Sequence, residues 1–122
     1  MTEVETKQKL RMHDHWIGVH GTPCESASYY DDLDRPAGGN ASGTGWTISW
    51  QNGVVDPVDV PNGAMLEDVM MACIHRLEFY QGGDFACDEN ATALAGLRWG
   101  RDALLARRRD RSKRGVLGTH QR

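Results

Sequence analysis

The feature that most constrains the fold is a run of apolar residues at helical spacing that begins just after Pro61. Its members recur every three or four residues, at Leu66, Val69, Met70, Cys73, Ile74 and Leu77. This spacing predicts a helix over about residues 64–80, with Asn62 as its N-cap. Because Cys73 lies on the apolar stripe, we expect its thiol to be buried and unreactive.

A second helix is predicted after a glycine turn. Gln81-Gly82-Gly83 ends the first helix, and either Asp84 or Asp88 can cap the next one. The apolar stripe of the second helix contains Leu94, Leu97, Leu104 and Leu105. Gly115 follows the basic end of this helix and is typical of a C-cap. Two helices joined by a short turn form an antiparallel hairpin, so residues 62–122 are predicted to be a helical hairpin with a basic tail.

The first half of the chain has one clear β signal. Residues 46–51 alternate apolar and polar side chains, and Asn52-Gly53 suits a tight turn before Val54-Val55, which predicts a β hairpin over residues 46–61. Pro57 and Pro61 restrict the returning strand to a sheet edge. Residues 1–45 are predicted to be loop-rich, with a short strand at residues 15–19 and a solvated acidic loop containing Asp31, Asp32 and Asp34.

This order of elements predicts an α+β fold in a single domain, a loop-rich β hairpin region followed by an antiparallel two-helix hairpin. A chain of 122 residues with 39% hydrophobic residues buries a modest core, which favours a homo-oligomer. No stretch approaches the roughly 18 apolar residues that span a bilayer, and the first residues are polar. Together with an odd number of cysteines, this favours a cytoplasmic protein without a membrane partner.

Charge is distributed unevenly along the chain. Residues 1–97 carry 5 basic and 15 acidic residues, whereas residues 98–122 carry 9 basic and 2 acidic residues. The basic end is dominated by arginine, whose planar guanidinium suits phosphate oxygens and can stack on a base. A solvated helix end, whose cations complement the helix dipole, explains the same composition. Composition alone leaves both interpretations open.

Other residues near the hairpin can complete a nucleotide site. Phe79, Tyr80 and Phe85 supply aromatic faces around the predicted turn, and Asn90 supplies an amide near the start of the second helix. Core packing for the aromatic rings and a capping role for Asn90 are the alternatives. Gly118-Thr119 lets backbone and hydroxyl approach a small polar ligand closely.

Two stretches of the hairpin carry a family pattern. The first is Tyr80-Gln81-x-x-x-Phe85-Ala86-Cys87-x-Glu89-Asn90-Ala91. The second is Arg107-x-x-x-Arg111-x-x-Arg114-Gly115-Val116-x-Gly118-Thr119-His120. Over about residues 52–120 the chain resembles the helical hairpin domain of phage-encoded sponges, the anti-Thoeris and anti-CBASS proteins that sequester cyclic nucleotide immune signals.

The resemblance implies a homo-oligomer that acts in the cytoplasm of the bacterial host. This oligomer is commonly a hexamer, or a dimer formed through the same interface between protomers. It would trap glycocyclic ADP-ribose or a cyclic oligonucleotide between protomers without cleaving it. The resemblance assigns Tyr80 to stacking, Asn90 to an amide contact, and Arg107 and Arg111 to the phosphates. It assigns Gly118, Thr119 and the basic tail, which includes Arg114 and His120, to a second pocket.

Other functions fit the sequence less well. His13-x-His15, His20 and Cys24 match no standard zinc finger, so no metal or other cofactor is expected. Cys73 and His75 have no evident catalytic partner, so we expect no catalytic residues and no enzyme. A nucleic-acid-binding phage accessory protein would use the same arginines, but the basic segment is short for a duplex. A phage structural protein, with the hairpin as an assembly device, is the remaining alternative.

Overall fold

A computed structural model describes residues 8–55 and 58–121. The elements in chain order are β1 Lys9–Ile17, β2 Pro23–Tyr30, β3 Pro36–Gly43, β4 Trp46–Trp50, α1 Leu66–Gln81 and α2 Asp88–Lys113. The α+β prediction is therefore confirmed. Contacts divide the described chain into a sheet unit, up to Ala64 together with Gly118–His120, and a hairpin unit, Met65–Leu117 together with Gln121.

The sheet unit is an antiparallel meander with strand order β1-β2-β3-β4. Most of residues 21–45 therefore form strands, and the prediction of a loop there is wrong. The buried positions of β2 and β3 are small residues, namely Cys24, Ala27, Ala37 and Ala41. Side chains of this size leave no bulky apolar alternation in the sequence. Cys24 and Ala27 are three residues apart on β2 and therefore lie on opposite faces of the sheet, so the buried residues form no single alternating stripe. Residues 1–7 of the predicted loop-rich region lie outside the described residues.

Gly39 lies on β3 at a position where the backbone of β2 leaves no room for a side chain. Its φ angle is +152°, a region that side chains disfavour, and it pairs with Ser28 across the strands. A Cβ atom added at Gly39 would collide with the carbonyl oxygen of Ala27 and approach the Ser28 Cα to 3.1 Å. Glycine is thus required by strand packing at this position, although in the sequence it resembles a loop residue.

The predicted hairpin at Asn52-Gly53 is wrong. β4 pairs antiparallel with the preceding strand, β3, and it ends at Trp50. A side-chain clamp follows instead. Asn62 Oδ1 accepts from Asn52 N at 2.8 Å, and Asn62 N donates to Gln51 Oε1 at 2.8 Å. The chain then returns as a single parallel bridge between Trp50 and Ala64. Pro57 lies outside the described residues.

The predicted helical hairpin is present, and α1 begins two residues after its predicted start at residue 64. Met65, rather than Asn62, is the N-cap of α1, because the Asn62 side chain is engaged with Asn52. Cys87 is the N-cap of α2, so the prediction of Asp84 or Asp88 in that role is wrong. Arg114 is the C-cap, and Gly115 follows it with a φ of +72°, as expected of a glycine that ends a helix. Among the described residues, no helix is long and apolar enough to cross a bilayer.

The hairpin buries less of α1 than its apolar stripe predicts. Ile74 is fully buried and Leu94 on α2 is buried, whereas Cys73 is exposed. The expectation of a buried Cys73 is therefore wrong. One partner helix covers a narrow band of α1, and Cys73 lies about 100° around the axis from Ile74 at 3.6 residues per turn.

Asp31 is buried in the β2–β3 turn, so the expectation of a fully solvated acidic loop is wrong for this residue. Its Oδ1 accepts the backbone N–H groups of Leu33 at 2.8 Å and of Arg35 at 3.0 Å. Its Oδ2 accepts Arg35 Nε at 2.9 Å. The bond from the Arg35 backbone is the largest cause that lowers the Asp31 pKa below its usual 3.8, aided by Leu33 and the guanidinium and opposed by burial.

Asp31→Asn is expected to lower the unfolding temperature at pH 7 and to lose this effect in acid. A carboxylate with a depressed folded-state pKa contributes stability above its unfolded-state pKa, and this stability is lost as the pH falls through the folded-state value, here below 3.8. Thermal unfolding from pH 7 to pH 2 measures the difference. Asp32→Asn is the matched control, because the Asp32 carboxylate is mostly exposed. An equal pH dependence in the two variants would contradict the prediction.

Candidate functional site

Three aromatic rings surround the turn between the helices. Phe79 and Tyr80 lie in the last turn of α1, with ring centroids 5.9 Å apart, and Phe85 lies in the connection. Phe79 is 70% exposed and Phe85 is 77% exposed. Together with Gly82, Gly83 and two acidic residues, Glu78 and Asp84, these rings line a hollow of about 510 Å³. Exposed aromatic faces beside a hollow are suited to stacking against a flat ligand.

Arg76 lies over two of these rings. Its guanidinium carbon is 5.5 Å from the Tyr80 ring centroid and 5.7 Å from that of Phe79. These distances are within the range of cation–π contacts. Arg76 therefore places one positive charge beside the aromatic hollow, whose lining also contains two acidic residues, Glu78 and Asp84. Glu78 is already paired with Arg98, so Arg76 can offset the charge of Asp84 and leave the hollow open to an anionic ligand.

Gln81 and Asn90 hold the shape of the turn. Gln81 Oε1 accepts Cys87 N at 3.0 Å, and Gln81 Nε2 donates to Cys87 O at 3.2 Å. Asn90 Nδ2 donates to Phe85 O at 3.0 Å. Asn90 thus has a structural role in fixing Phe85, and its predicted contact with a ligand stays a prediction.

Two arginines of α2 stabilise the hairpin itself. Arg98 Nη2 lies 3.2 Å from Glu78 Oε1 on α1, an ion pair that joins the two helices. Arg101 Nη1 lies 3.4 Å from Met71 Sδ, and its Nη2 lies 3.0 Å from Asp102 Oδ1. Arg101 is thus largely covered, whereas Arg98 stays exposed although it is paired with Glu78.

The arginines nearer the end of α2 differ sharply in their surroundings. Arg107 is exposed, and within residues 8–55 and 58–121 its side chain meets no hydrogen-bond or ion-pair partner. Arg111 is buried; its guanidinium donates to Val116 O at 3.1 Å and also to Gln121 O. Arg114 pairs with Asp110 at 3.0 Å. Arg107 is therefore available to an outside anion, whereas Arg111 holds the tail in this structure.

The aromatic end and the arginine end of the hairpin are far apart. α2 has 26 residues and Asn90 lies in its first turn, whereas Arg107 lies seventeen residues further on. At a rise of about 1.5 Å per residue this separation is about 26 Å along the axis. One protomer therefore cannot bring Tyr80 and Arg107 to the same nucleotide. Gly118, Thr119 and His120 group with the sheet unit, and their predicted second pocket stays a prediction.

Comparison with known proteins identifies the family. No protein-family model matches the chain. A curated protein of Bacillus phage SBSphiJ7, named Thoeris anti-defense 1, is 38% identical over 128 residues, which covers 98% of this chain and 87% of that relative. The chain belongs to the Thoeris anti-defense 1 family. The predicted anti-Thoeris resemblance is confirmed, and it extends over the sheet unit as well as the hairpin.

Two residues of the candidate site in this family member were not predicted from the sequence. Arg76 carries a usable signal, because it precedes Tyr80 by four residues and such pairs face each other on a helix. Gln81 carries none, since it resembles an ordinary residue at the end of a helix until its two bonds to Cys87 are seen.

Proposed function

We propose that this protein is a phage immune-evasion protein that binds and sequesters a cyclic nucleotide second messenger without cleaving it. The candidate ligands are glycocyclic ADP-ribose and cyclic oligonucleotides. The observation that carries the proposal is the exposed aromatic hollow at Tyr80, with Arg76 over its rings. A relative named for acting against Thoeris defence supports the immune-evasion role.

The ligand combines two chemical groups that the hairpin can bind. An adenine ring stacks on Tyr80 or on a neighbouring aromatic face, where one base–aromatic contact contributes roughly 1–3 kcal/mol. The phosphates pair with exposed guanidinium groups, which bind them through two parallel hydrogen bonds. Arg76 supplies such a group at the hollow itself, and Arg107 supplies one at the other end of α2.

Two copies of the chain are needed for a closed pocket. Since about 26 Å separates Asn90 from Arg107 along α2, the turn of one protomer and the arginine end of another would enclose one ligand. A homo-oligomer, either a hexamer or a dimer of that interface, provides this arrangement. Exposed apolar residues support self-association, including Val60 at 90% and Trp99 at 80% exposure.

Sequestration requires affinity and abundance rather than catalysis. Each binding site removes one messenger molecule from solution. The free messenger is therefore depleted only when the sites outnumber the messenger molecules. Burying the ligand between protomers slows its release, because dissociation then requires the interface to open. No nucleophile or general base takes part in this mechanism.

The proposal is tested by capture and release. Purified protein is incubated with glycocyclic ADP-ribose and separately with cyclic di- and trinucleotides, freed of unbound ligand, and heated. Chromatography and mass spectrometry of the released material should recover at least one ligand intact and in stoichiometric amount. Tyr80→Ala, carried through the same steps, should retain less. Failure to take up any of these ligands, or recovery of a cleaved product, would overturn the proposal.

A further inference from the structure

Two imidazoles and one carboxylate converge on the exposed face of the first β hairpin. His13 Nε2 lies 3.3 Å from Glu25 Oε2, and His15 Nε2 lies 3.6 Å from the same oxygen. One nitrogen of each histidine and one oxygen of Glu25 lie within 4.8 Å of one another. We propose that these three residues bind a divalent transition-metal ion of the zinc class.

The strand geometry explains why the three side chains meet. His13 and His15 are two residues apart on β1 and therefore point to the same face of the sheet. Glu25 on β2 is the direct cross-strand partner of His15, and such pairs share a face. The antiparallel register thus positions the β1 histidines and the β2 carboxylate, and all three residues lie within strands.

The distances suit a metal ion. Zinc binds imidazole nitrogen and carboxylate oxygen at about 2.0–2.2 Å, so two ligand atoms of a tetrahedral site lie about 3.4 Å apart. The two distances to Glu25 Oε2, 3.3 Å and 3.6 Å, bracket this value. The imidazole rings are 4.4 Å apart between centroids and tilted by 58°, so both can turn a nitrogen toward one point. Two histidines and a carboxylate are a ligand set that zinc accepts while keeping an open position.

The open position has room beside it. His15 and Glu25 also border a hollow of about 370 Å³ that is lined by Ser42 and Thr44. Water or a small anion can reach a metal ion from this side and complete its coordination. The site would therefore exchange its ion with solution: it would take up added metal and lose it to a chelator.

An ordinary surface ion pair does not explain the arrangement. One exposed histidine–carboxylate pair contributes at most about 1 kcal/mol, and it needs one imidazole. Here two imidazoles approach a single carboxylate oxygen, and all three side chains are exposed. The cluster carries no zinc-finger signature, because the spacing of His13, His15 and Glu25 matches no standard finger. The other two candidate ligands of the sequence, His20 and Cys24, are not members of the cluster.

The test uses the full-length protein, freed of any affinity tag that contains histidine. Zn²⁺ is titrated in competition with a fluorescent chelator, and Co²⁺ is followed by its visible absorption. We expect one saturable ion per chain. His13→Ala, His15→Ala and Glu25→Gln should each weaken binding by about tenfold or more, since even second-shell losses reach that size. His20→Ala, an exposed histidine in the next turn, is the matched control and should bind as the wild type does.

Folding is checked separately by thermal unfolding without metal. Because the three side chains are exposed, all variants should unfold near the wild-type temperature, and the rise produced by Zn²⁺ should be lost in them. If an alanine variant fails to fold, His13→Gln and His15→Gln keep the side-chain bulk and decide the question. Wild-type protein that binds no Zn²⁺, or variants that bind it as well as the wild type, would overturn the proposal. The nucleotide-capture result does not enter this test.

Discussion

Arg107→Ala is expected to weaken binding of the captured cyclic nucleotide by about 30-fold or more while leaving the unfolding temperature unchanged. Arg107 is exposed and meets no partner among the described residues, so its removal costs the free protein little. In a closed pocket its phosphate contact would be desolvated, and losing one partner of such a pair costs about 2–5 kcal/mol. At about 1.4 kcal/mol per tenfold, the lower bound corresponds to about 30-fold. Titration calorimetry with the ligand identified by capture measures the change.

Arg109→Ala is the matched control for this measurement. Arg109 is also exposed on α2, but two residues further along a helix it points about 200° away from Arg107. Both variants remove one positive charge, so a general effect of charge would weaken binding equally in the two. Binding by Arg107→Ala within about twofold of the wild type, or an equal loss in both variants, would contradict a specific phosphate contact.

Arg111 is unsuited to the same experiment. Its guanidinium is buried and donates to the carbonyl oxygens of Val116 and Gln121. Removing it would leave these acceptors without that donor, at a cost of about 1–3 kcal/mol for a buried unsatisfied group. A loss of ligand in Arg111→Ala would therefore combine a change in the tail with a change in the pocket. The two arginines lie one helical turn apart and look equivalent in the sequence, and burial separates them.

The helical hairpin was predictable because its signals are local. Apolar spacing fixed the two helices, and Gly115 marked the end of α2. Contacts between residues far apart in the sequence were harder to predict. Ile74 is buried while its neighbour Cys73 is exposed, since one partner helix covers a single band of α1. The distance between Asn90 and Arg107 follows from helix length alone, and it is too long for both residues of one protomer to contact the same nucleotide.

The sheet was not predictable in the same way. Its buried residues are Cys24 and three alanines, which are small and, on β2, lie on opposite faces of the sheet, so the sequence shows no alternating apolar stripe. The strongest turn signal, Asn52-Gly53, was misleading, because Asn62 folds back onto Asn52 and β4 pairs with the strand before it. The His13–His15–Glu25 cluster depends on this register, so the sequence offered only its two histidines.

Gly39→Ala is expected to destabilise the sheet unit by about 3 kcal/mol or more. The new Cβ would collide with the Ala27 carbonyl oxygen and lie 3.1 Å from the Ser28 Cα, both of them backbone atoms that cannot rotate away. Overpacking costs about 1–3 kcal/mol. Adopting a φ of +152° adds a further 1–3 kcal/mol or so for a residue other than glycine. Chemical denaturation measures the loss, followed by tryptophan fluorescence in a Trp99→Phe background so that the signal comes from Trp16, Trp46 and Trp50 of the sheet unit.

Gly21→Ala separates the collision from the backbone strain. Gly21 also has a positive φ, +79°, but a Cβ built there meets nothing within 4 Å. Its replacement should therefore cost about 1–2 kcal/mol, from the left-handed conformation alone. The excess loss in Gly39→Ala would then measure how closely β3 approaches β2. Equal losses of stability in the two variants would mean that the strands separate to admit a methyl group. The close pairing of Gly39 with Ser28 would then not be the reason that glycine is required at this position.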